Sequence, residues 1–259
     1  MTEWNARAYE RISTLQKVMA DESLARLALD GGERVLDIGC GEGKITVEIA
    51  ARVPHGSVVG VDPAKDMIAF AAQHFVQPNL RFAVADVRGL PFRNEFDLIV
   101  SFNALHWVPE QDIALRSIRA GLQPHGRTLL QFVSRGERVA LEEVIEETRR
   151  APRWTGYFAG FRKPFVHSTP EEYRTLAEQQ GFKVIQLTVA DRSWDFGSRP
   201  AFTAFCQATF VEWTQRLPEA DHAAFIAEVL DNYAKVAATT PAEANTFKFY
   251  QMVAELTPA

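Results

Sequence analysis

Short, unbroken runs of apolar residues alternate with stretches of helical periodicity through the first half of the chain. The apolar runs have the length and composition of parallel strands that are buried on both faces. They predict strands at 35–38, 57–62, 80–86, 96–101 and 127–133. Between them, apolar residues recur at spacings of three and four, which predicts helices at 44–52, 63–75 and 109–122. This alternation predicts an α/β fold with a doubly wound, mostly parallel sheet.

The second half of the chain has a different pattern. Apolar runs at 182–190 and 245–254 predict two further strands, which gives a seven-stranded sheet in total. Two long helical patterns rich in aromatic residues, at 200–216 and 219–237, separate these last strands. We therefore expect a helical cap inserted between the sixth and seventh strands.

Composition and charge disfavour several classes of function. Hydrophobic residues make up 47% and charged residues 24% of the 259 residues, as in ordinary globular proteins. We expect no membrane span, because no apolar run reaches about 20 residues, and no secretory signal. A net charge of −5 without a basic tract argues against nucleic acid as a partner. Cys40 and Cys206 lack metal-ligand spacing, so we expect no metal site and a reduced, cytoplasmic setting.

A glycine-rich turn directly follows the first predicted strand. Gly39, Gly41 and Gly43 form the pattern G-x-G-x-G, and a helical pattern begins beside them. Glycines allow a tight turn and the close approach of a ligand to the backbone. The third glycine comes one residue earlier than in G-x-G-x-x-G, the fingerprint of pyrophosphate-binding turns, which disfavours a dinucleotide dehydrogenase. Asp37 would repel phosphate, so the turn predicts an adenosine ligand without a pyrophosphate.

The segment Val-Leu-Asp-Ile-Gly-Cys-Gly-Glu-Gly at 35–43 resembles the first motif of class I S-adenosylmethionine-dependent methyltransferases. The resemblance implies S-adenosylmethionine as cofactor, S-adenosylhomocysteine as product, and no metal. It implies that Asp37 helps to hold the methionine end of the cofactor. It also implies a last strand antiparallel to its neighbours, with helices on both faces of the sheet. The turn residues expected to pack against the methionyl and ribose parts are Gly39, Cys40, Gly41 and Gly43.

Acidic residues at the tips of the next two predicted strands extend this resemblance. Asp62 ends the second strand, where a carboxylate can accept hydrogen bonds from both ribose hydroxyls; capping of the following helix is the alternative role. Asp86 ends the third strand, and the resemblance implies that it takes the adenine amino group while the N–H of Val87 serves a ring nitrogen. A simple turn aspartate is the alternative for Asp86. Pro63 and Met67 are expected beside the adenine, although Met67 would equally suit the core.

The fourth predicted strand ends where open α/β sheets place their ligands. We expect Phe102 and Asn103 near the cofactor, and His106 and Trp107 on the acceptor side. A neutral imidazole donates one hydrogen bond, and an indole N–H is a donor only. Two other histidines are predicted to have structural roles, at a surface turn and before a helix respectively: His125 and His167.

The run Ala-Leu-His-Trp-Val at 104–108 resembles a narrower group, the small-molecule carboxylate methyltransferases related to juvenile hormone acid and trans-aconitate methyltransferases. In that group a glutamine of the N-terminal segment can bind the substrate carboxylate, and Gln16 matches its position. The resemblance implies that Gln16, His106 and Trp107 form a clamp for the carboxylate of a small organic acceptor.

Three functions are compatible with these features. The favoured one is O-methylation of a carboxylate, which is ionised at pH 7 and needs no general base. A tailoring methyltransferase acting on a phenolic, polyketide or terpenoid scaffold would need a deprotonation step, with His106 as the base. An S-adenosylmethionine-binding protein without turnover is the third. The expected partner is a small-molecule acceptor, and the chain is expected to be a monomer or a homodimer.

The resemblance also suggests a division of the chain. Residues 1–30 would form a helical lid, 31–134 the cofactor-binding core, and 135–259 the rest of the sheet. This last part would contain a helical cap over the acceptor pocket, at about 153–165 and 198–240. The first cap segment is rich in aromatic residues and is either a mobile flap or an anchored loop.

Overall fold

The computed structural model describes residues 14–25 and 27–259. Seven strands in this part form one sheet. They are β1 (Arg34–Ile38), β2 (Ser57–Asp62), β3 (Leu80–Val84), β4 (Phe96–Phe102), β5 (Leu122–Ser134), β6 (Phe182–Asp195) and β7 (Thr246–Pro258). The α-helices of the described residues are α1 (Thr14–Leu24), α2 (Lys44–Arg52), α3 (Lys65–His74), α4 (Gln111–Gly121), α5 (Leu141–Thr148), α6 (Pro170–Gln179), α7 (Arg199–Thr209), α8 (Val211–Thr214) and α9 (Glu219–Ala237). None of these helices is long and apolar enough to cross a membrane.

The strands lie in the order β3-β2-β1-β4-β5-β7-β6. β1 pairs in parallel with β2 on one side and with β4 on the other, so the chain reverses its direction of winding between β1 and β4. In open α/β sheets, such a reversal opens a crevice at the carboxyl ends of the two strands. The glycine turn follows β1, and the segment with His106 follows β4, so both meet at this crevice.

The predicted fold class is confirmed. β7 runs antiparallel to both β5 and β6, as expected for the last strand, whereas the other pairings are parallel. β6 is longer than predicted and continues to Asp195, because each residue from Asp191 to Asp195 also pairs with β7. The surface turn predicted at His125 instead belongs to β5, which begins at Leu122, where that residue pairs with Phe96 ahead of a register irregularity.

Both faces of the central strands are buried under helices. On β4, Leu98 and Val100 pack in a cluster with Ile49 of α2, while Ile99 packs in a second cluster with Ile118 of α4. Side chains of a strand alternate between the two faces of the sheet, and here both faces are apolar. This explains why Leu98, Ile99 and Val100 form a continuous apolar run rather than an alternating pattern.

The helices between β6 and β7 form a separate aromatic cluster with α5 and the segment that follows it. The buried side chains of Phe202, Phe205, Trp213, Phe225 and Tyr233 pack there together with Trp154, Phe158 and Phe165. One long helix predicted at 200–216 is wrong: the chain leaves the helix at Phe210, which separates α7 from α8. Phe210 is itself buried, so the break keeps its ring in the cluster.

The aromatic segment at 153–164 is anchored. Trp154 is 1% exposed, and its indole N–H donates to Glu228 Oε2 of α9 at 2.9 Å. The Phe158 ring is also buried and lies against Phe225 of α9. Of the two alternatives for this segment, the structure therefore favours the anchored loop over the flap.

Candidate cofactor and acceptor site

The glycine turn is fixed by its backbone and by close packing. The N–H groups of Gly39 and Cys40 both donate to Val61 O, at 2.8 and 3.0 Å, which ties the turn to β2. Gly39, Gly41 and Gly43 have φ values of 71°, 53° and 88°, in the left-handed region that favours glycine. A Cβ on Gly39 would lie 2.2 Å from Ala104 Cβ, and one on Gly43 would lie 2.8 Å from the Phe82 ring.

Gly41 differs from its two neighbours. A Cβ at this position would meet no atom within 4 Å, although Gly41 lines a cavity. The backbone at Gly41 therefore borders open space that a ligand can enter. Gly39 and Gly43 allow the turn to pack closely against its neighbours, whereas Gly41 leaves room for a ligand beside the backbone.

A cavity of about 350 Å³, here called the large cavity, lies at the carboxyl ends of β1, β2 and β4. Its volume falls within the range usual for ligand sites. Of the residues predicted to bind the cofactor, those that line it are Gly39, Gly41, Asp62, Pro63, Met67, Asp86, Val87, Phe102 and Asn103. Asp37, Cys40 and Gly43 do not line it; they lie in or beside the turn. The sequence did not indicate Arg88, Pro164 or Glu212, which also line the cavity.

Asp62 connects the glycine turn to the start of α3. Its Oδ2 accepts from the N–H of Gly41 at 3.1 Å, and its Oδ1 accepts from the N–H of Ala64 at 2.9 Å. α3 begins at Lys65, and its N-cap is Ala64. The alternative role of Asp62 as the N-cap of this helix is therefore wrong. Each carboxylate oxygen has further acceptor capacity, which the large cavity leaves accessible to a ligand hydroxyl.

Asp37 lies beneath the turn and is 2% exposed. Its Oδ2 accepts from Thr46 Oγ1 of α2 at 2.7 Å. Burial raises the pKa of the Asp37 carboxyl to about 7, and the charge of Asp62 adds to this, although the Thr46 hydrogen bond opposes it. Cys40 is also buried, and burial raises the pKa of its thiol well above the usual range, which makes it an inert packing residue.

Asp86 is fixed by a neighbouring arginine. Arg88 donates to Asp86 Oδ1 from its backbone N–H and its Nε, both at 2.9 Å, and to Oδ2 from its Nη2 at 2.6 Å. These bonds lower the pKa of Asp86. Arg88 also donates to Glu110 Oε2 at 3.0 Å. The carboxylate is thus ionised and oriented at the wall of the large cavity.

Asn103 lies where two cavities meet, and its own backbone is strained. Its φ of 56° is rare for a residue other than glycine. Its backbone N–H donates to Gln131 O at 2.8 Å, but neither polar atom of its buried side-chain amide has a hydrogen-bond partner among the described residues. A buried polar group without a partner costs about 1–3 kcal/mol. Backbone strain and unpartnered buried polar groups cluster at functional sites, so Asn103 is a candidate ligand contact.

A second, smaller cavity of about 60 Å³ adjoins the first and shares Asn103 and Trp107 with it. Most of its lining is apolar, including Leu15 and Met19 of α1. The polar side chains that line it, besides Asn103, are those of His106, Trp107, Glu142 and Thr209. Cap residues Phe205 and Phe210 complete the wall.

His106 and Trp107 occupy the short 3₁₀ turn after β4. His106 is 4% exposed, and its Nδ1 has no partner within the described part of the chain. Burial, together with the neighbouring His167, lowers the pKa of His106 well below its usual range, so its imidazole is neutral. Gln16 lies on α1, but its side chain is outside the described residues.

His167 is closer to the site than its predicted structural role suggested. Val166 N donates to His106 O at 2.8 Å, which brings the loop before α6 against the 3₁₀ turn. The rings of His106 and His167 lie 6.1 Å apart. His167 Nε2 is 4.0 Å from Glu142 Oε2 of α5, and neither atom has a hydrogen-bond partner in the described structure. Neither Glu142 nor His167 is close to His106 in sequence, so pattern alone could not find this cluster.

The residues present fit the adenosine cofactor. The large cavity offers the open backbone of Gly41, the two oriented carboxylates of Asp62 and Asp86, and the unpartnered amide of Asn103. Hydroxyl, amino and ammonium groups are hydrogen-bond donors that suit such acceptors. Among the described residues, no group of three or more His, Cys, Asp or Glu side chains is placed to hold a metal ion.

Comparisons with known proteins agree with this geometry. A sequence profile described as "Methyltransferase domain" matches residues 35–126. The chain is 30% identical to a trans-aconitate 2-methyltransferase of Delftia acidovorans, over 88% of each protein. It is 29% identical to the juvenile hormone acid O-methyltransferase of Bombyx mori, over 71% of this chain and 70% of the relative.

The fold comparison gives the same result. A crystal structure of a putative methyltransferase from Bacillus halodurans superposes with a TM-score of 0.66 at 16% identity, covering 93% of this chain and 99% of the other. At that identity the likeness shows the shared fold, while the relatives and the matching profile show the family. The chain belongs to the class I S-adenosylmethionine-dependent methyltransferases.

Proposed function

We propose that this enzyme methylates a carboxylate oxygen of a small organic acid. The observation that carries the proposal is the small cavity, which adjoins the large cavity through Asn103 and Trp107 and contains the neutral imidazole of His106. The relatives named above are described as acting on trans-aconitate and on juvenile hormone acid, both of which are carboxylic acids. Their similarity to this chain supports the same acceptor class.

In this proposal the large cavity holds the cofactor. Asp62 accepts from the ribose hydroxyls, Asp86 from the adenine amino group, and the Val87 N–H donates to a ring nitrogen. Asp37 is the predicted partner of the methionine ammonium. Burial raises the pKa of its carboxyl, and a nearby cation would favour the ionised form. The remaining predicted contacts are Gly39, Cys40, Gly41, Gly43, Pro63, Met67, Phe102 and Asn103. When bound, S-adenosylmethionine supplies an activated methyl group and departs as the neutral thioether S-adenosylhomocysteine.

The protein's task is then to orient the acceptor and exclude water. A carboxylate is already nucleophilic at pH 7, so the reaction needs alignment rather than proton removal, and alignment can contribute about 7–11 kcal/mol in ideal cases. His106, Trp107 and Gln16 orient the acceptor as hydrogen-bond donors. The cap supports this by closing the apolar wall around the small cavity with Phe205 and Phe210.

Acceptor profiling tests the proposal. The enzyme is incubated with methyl-labelled cofactor and a panel of small acids, each paired with its primary amide and its alcohol, and products are identified by mass spectrometry. We expect methyl esters of acids and no product from the amides. His106→Ala and Gln16→Ala should each lower kcat/KM at least about tenfold, the value of one hydrogen bond to a charged group. Unchanged rates for His106→Ala would refute the assigned clamp.

A hydroxyl acceptor on a phenolic, polyketide or terpenoid scaffold is the second candidate. The unpartnered Nδ1 of His106 in the small cavity supports it, because an unprotonated imidazole nitrogen can accept a proton, although the lowered pKa makes it a weak base. Methylation of the alcohols but not of the acids in the same panel would establish this candidate instead.

A further inference from the structure

The small cavity contains a carboxyl group that the proposed clamp does not use. Glu142 lies in the first turn of α5, is 7% exposed, and lines the cavity together with His106 and Asn103. Its Oε2 has no hydrogen-bond partner among the described residues. The same holds for His106 Nδ1 and for both amide atoms of Asn103. Three side chains that line one small cavity thus present unpartnered polar atoms, which indicates a polar ligand group that completes their bonds.

The cavity offers this group no permanent cation. No lysine or arginine is present among the described residues that line it. Both neighbouring histidines are neutral, because burial lowers the pKa of His106 well below its usual range and that of His167 to about 3. A carboxylate that enters the cavity therefore meets neutral donors and Glu142. Two ionised carboxylates in contact would repel each other strongly, so one of them must hold a proton.

Glu142 is the group suited to hold it. Burial is the largest effect and raises the pKa of Glu142 to about 7. The charged and titratable groups around it on the packed elements act in both directions: Glu143 on the same helix raises this pKa, and Lys163 of the following segment lowers it. Other titratable groups that interact with it are neutral at pH 7: His167, Cys206 of α7 and Tyr233 of α9.

We propose that Glu142, in its protonated form, donates a hydrogen bond to the acceptor carboxylate and so selects acids with a single carboxylate on an apolar body. The inference rests on the proposed function, since it concerns the same acceptor. In the transfer, one carboxylate oxygen forms the new bond to the methyl carbon as the sulfur–methyl bond breaks. Glu142 keeps its proton throughout and remains hydrogen-bonded to the carbonyl of the ester. It is therefore a positioning and specificity residue and not a base.

Selectivity for monocarboxylates follows from the rest of the lining. Beyond the polar side chains already named, the wall consists of apolar groups such as Leu15, Val133, Leu141 and Phe249. A second carboxylate on the acceptor would be buried against these groups without a partner, which is strongly unfavourable. An apolar chain would instead bury hydrophobic surface there.

The pH dependence of catalysis separates the two roles that Glu142 could play. If it donates its proton, kcat/KM for an apolar monocarboxylic acid is constant between the pKa of that acid and about pH 7, and falls about tenfold per pH unit above pH 7. Glu142→Gln keeps a neutral donor, so it should retain activity within about threefold at pH 6 and lose the alkaline fall. Glu142→Ala should lose at least about tenfold at pH 6. Glu143→Gln, on the same helix but facing Lys163, is the matched control: it should keep the fall and shift it to lower pH, because the charge of Glu143 raises the pKa of Glu142.

A pair of acceptors tests the selectivity. A short-chain linear acid and the diacid of equal length are compared at pH 6, with cofactor binding measured by calorimetry on every variant to verify an intact large cavity. We expect a preference of at least about tenfold for the monoacid. Equal rates for the diacid, or loss of activity in Glu142→Gln equal to that in Glu142→Ala, would overturn the inference while acid methylation itself stands. If alcohols and no acids are methylated, and rates rise with pH, both the proposed function and this inference fail.

Discussion

Gly39 packs directly against Ala104, so closely that a Cβ on Gly39 would lie 2.2 Å from Ala104 Cβ. This contact joins the turn after β1 to the segment after β4, the two loops that border the crevice of the sheet. The cofactor turn and the acceptor segment are thus held together by van der Waals contact. Any side chain at Gly39 must push the two loops apart.

Two glycines of the turn, Gly39 and Gly41, should respond differently to the same substitution. Gly39→Ala forces a clash in addition to left-handed strain of about 1–2 kcal/mol, so it should lower thermal stability and weaken cofactor binding together. Gly41→Ala carries the strain alone, and its methyl group enters the large cavity. We expect a small loss of Tm but a loss of cofactor affinity of at least about tenfold, measured by calorimetry. Wild-type affinity in Gly41→Ala would contradict the position of the ligand.

Asp62 should make the largest single contribution to cofactor affinity. Asp62→Ala removes the acceptor of the Gly41 and Ala64 N–H groups and the predicted partner of the ribose hydroxyls. Hydrogen bonds to charged groups contribute about 1.5–3 kcal/mol, so we expect a loss of at least about tenfold in affinity. Asp66→Ala, in the first turn of α3, is the control and should bind as the wild type does. If both variants bind equally well, the ribose assignment is wrong.

Arg88 should have a much smaller effect than the aspartate it holds. Arg88 is partly exposed, and exposed ion pairs contribute about 0.2–1 kcal/mol. Arg88→Gln should therefore weaken cofactor binding only about two- to fivefold, whereas Asp86→Ala should weaken it at least about tenfold if Asp86 takes the adenine amino group. The two affinities are compared by titration at fixed ionic strength. An equal loss in both variants would show that Arg88 itself contacts the cofactor.

The sequence predicts the elements that are determined by a local pattern of residues. The strands β1 to β5 are rich in apolar residues, and the resemblance of 35–43 to a known motif predicted that the glycine turn follows β1. Glu142 and His167 were not predicted as site residues, because they approach His106 only through the packing of α5 and of the loop before α6. Similarly, the break at Phe210 depends on tertiary burial of its ring, which helical spacing does not report.

Burial of His167 makes the stability of the fold depend on pH. Its folded-state pKa of about 3 lies below the unfolded value of 6.5, so the unfolded chain binds more protons between these values. The stabilising contribution is complete above pH 6.5 and is lost as the pH falls toward 3. Between pH 6.5 and 4.5, the free energy of unfolding of His167→Gln should therefore fall by at least about 1 kcal/mol less than that of the wild type. The measurement is urea denaturation at each pH.

A control separates this effect from other titrations. Glu142 has the opposite sign, because its raised pKa makes its contribution decline as the pH rises from 4.5 to about 7. Comparing His167→Gln with a variant of an exposed histidine, His125→Gln, under the same conditions removes this shared background. Parallel pH profiles for the wild type and His167→Gln would show that His167 is not buried as described.

Asn103 offers a test in which stability and catalysis should change in opposite directions. Asn103→Gly relieves the left-handed strain and removes the unpartnered buried amide, so it should leave stability unchanged or raise it by up to about 1 kcal/mol. If the amide contacts cofactor or acceptor, kcat/KM should nevertheless fall at least about tenfold. Asn103→Ala loses the same amide but keeps the left-handed backbone, so it should lose the same activity and be less stable than Asn103→Gly. Full activity in Asn103→Gly would mean that the amide contacts neither ligand, and that the strain at this junction serves only the path of the chain between the two cavities.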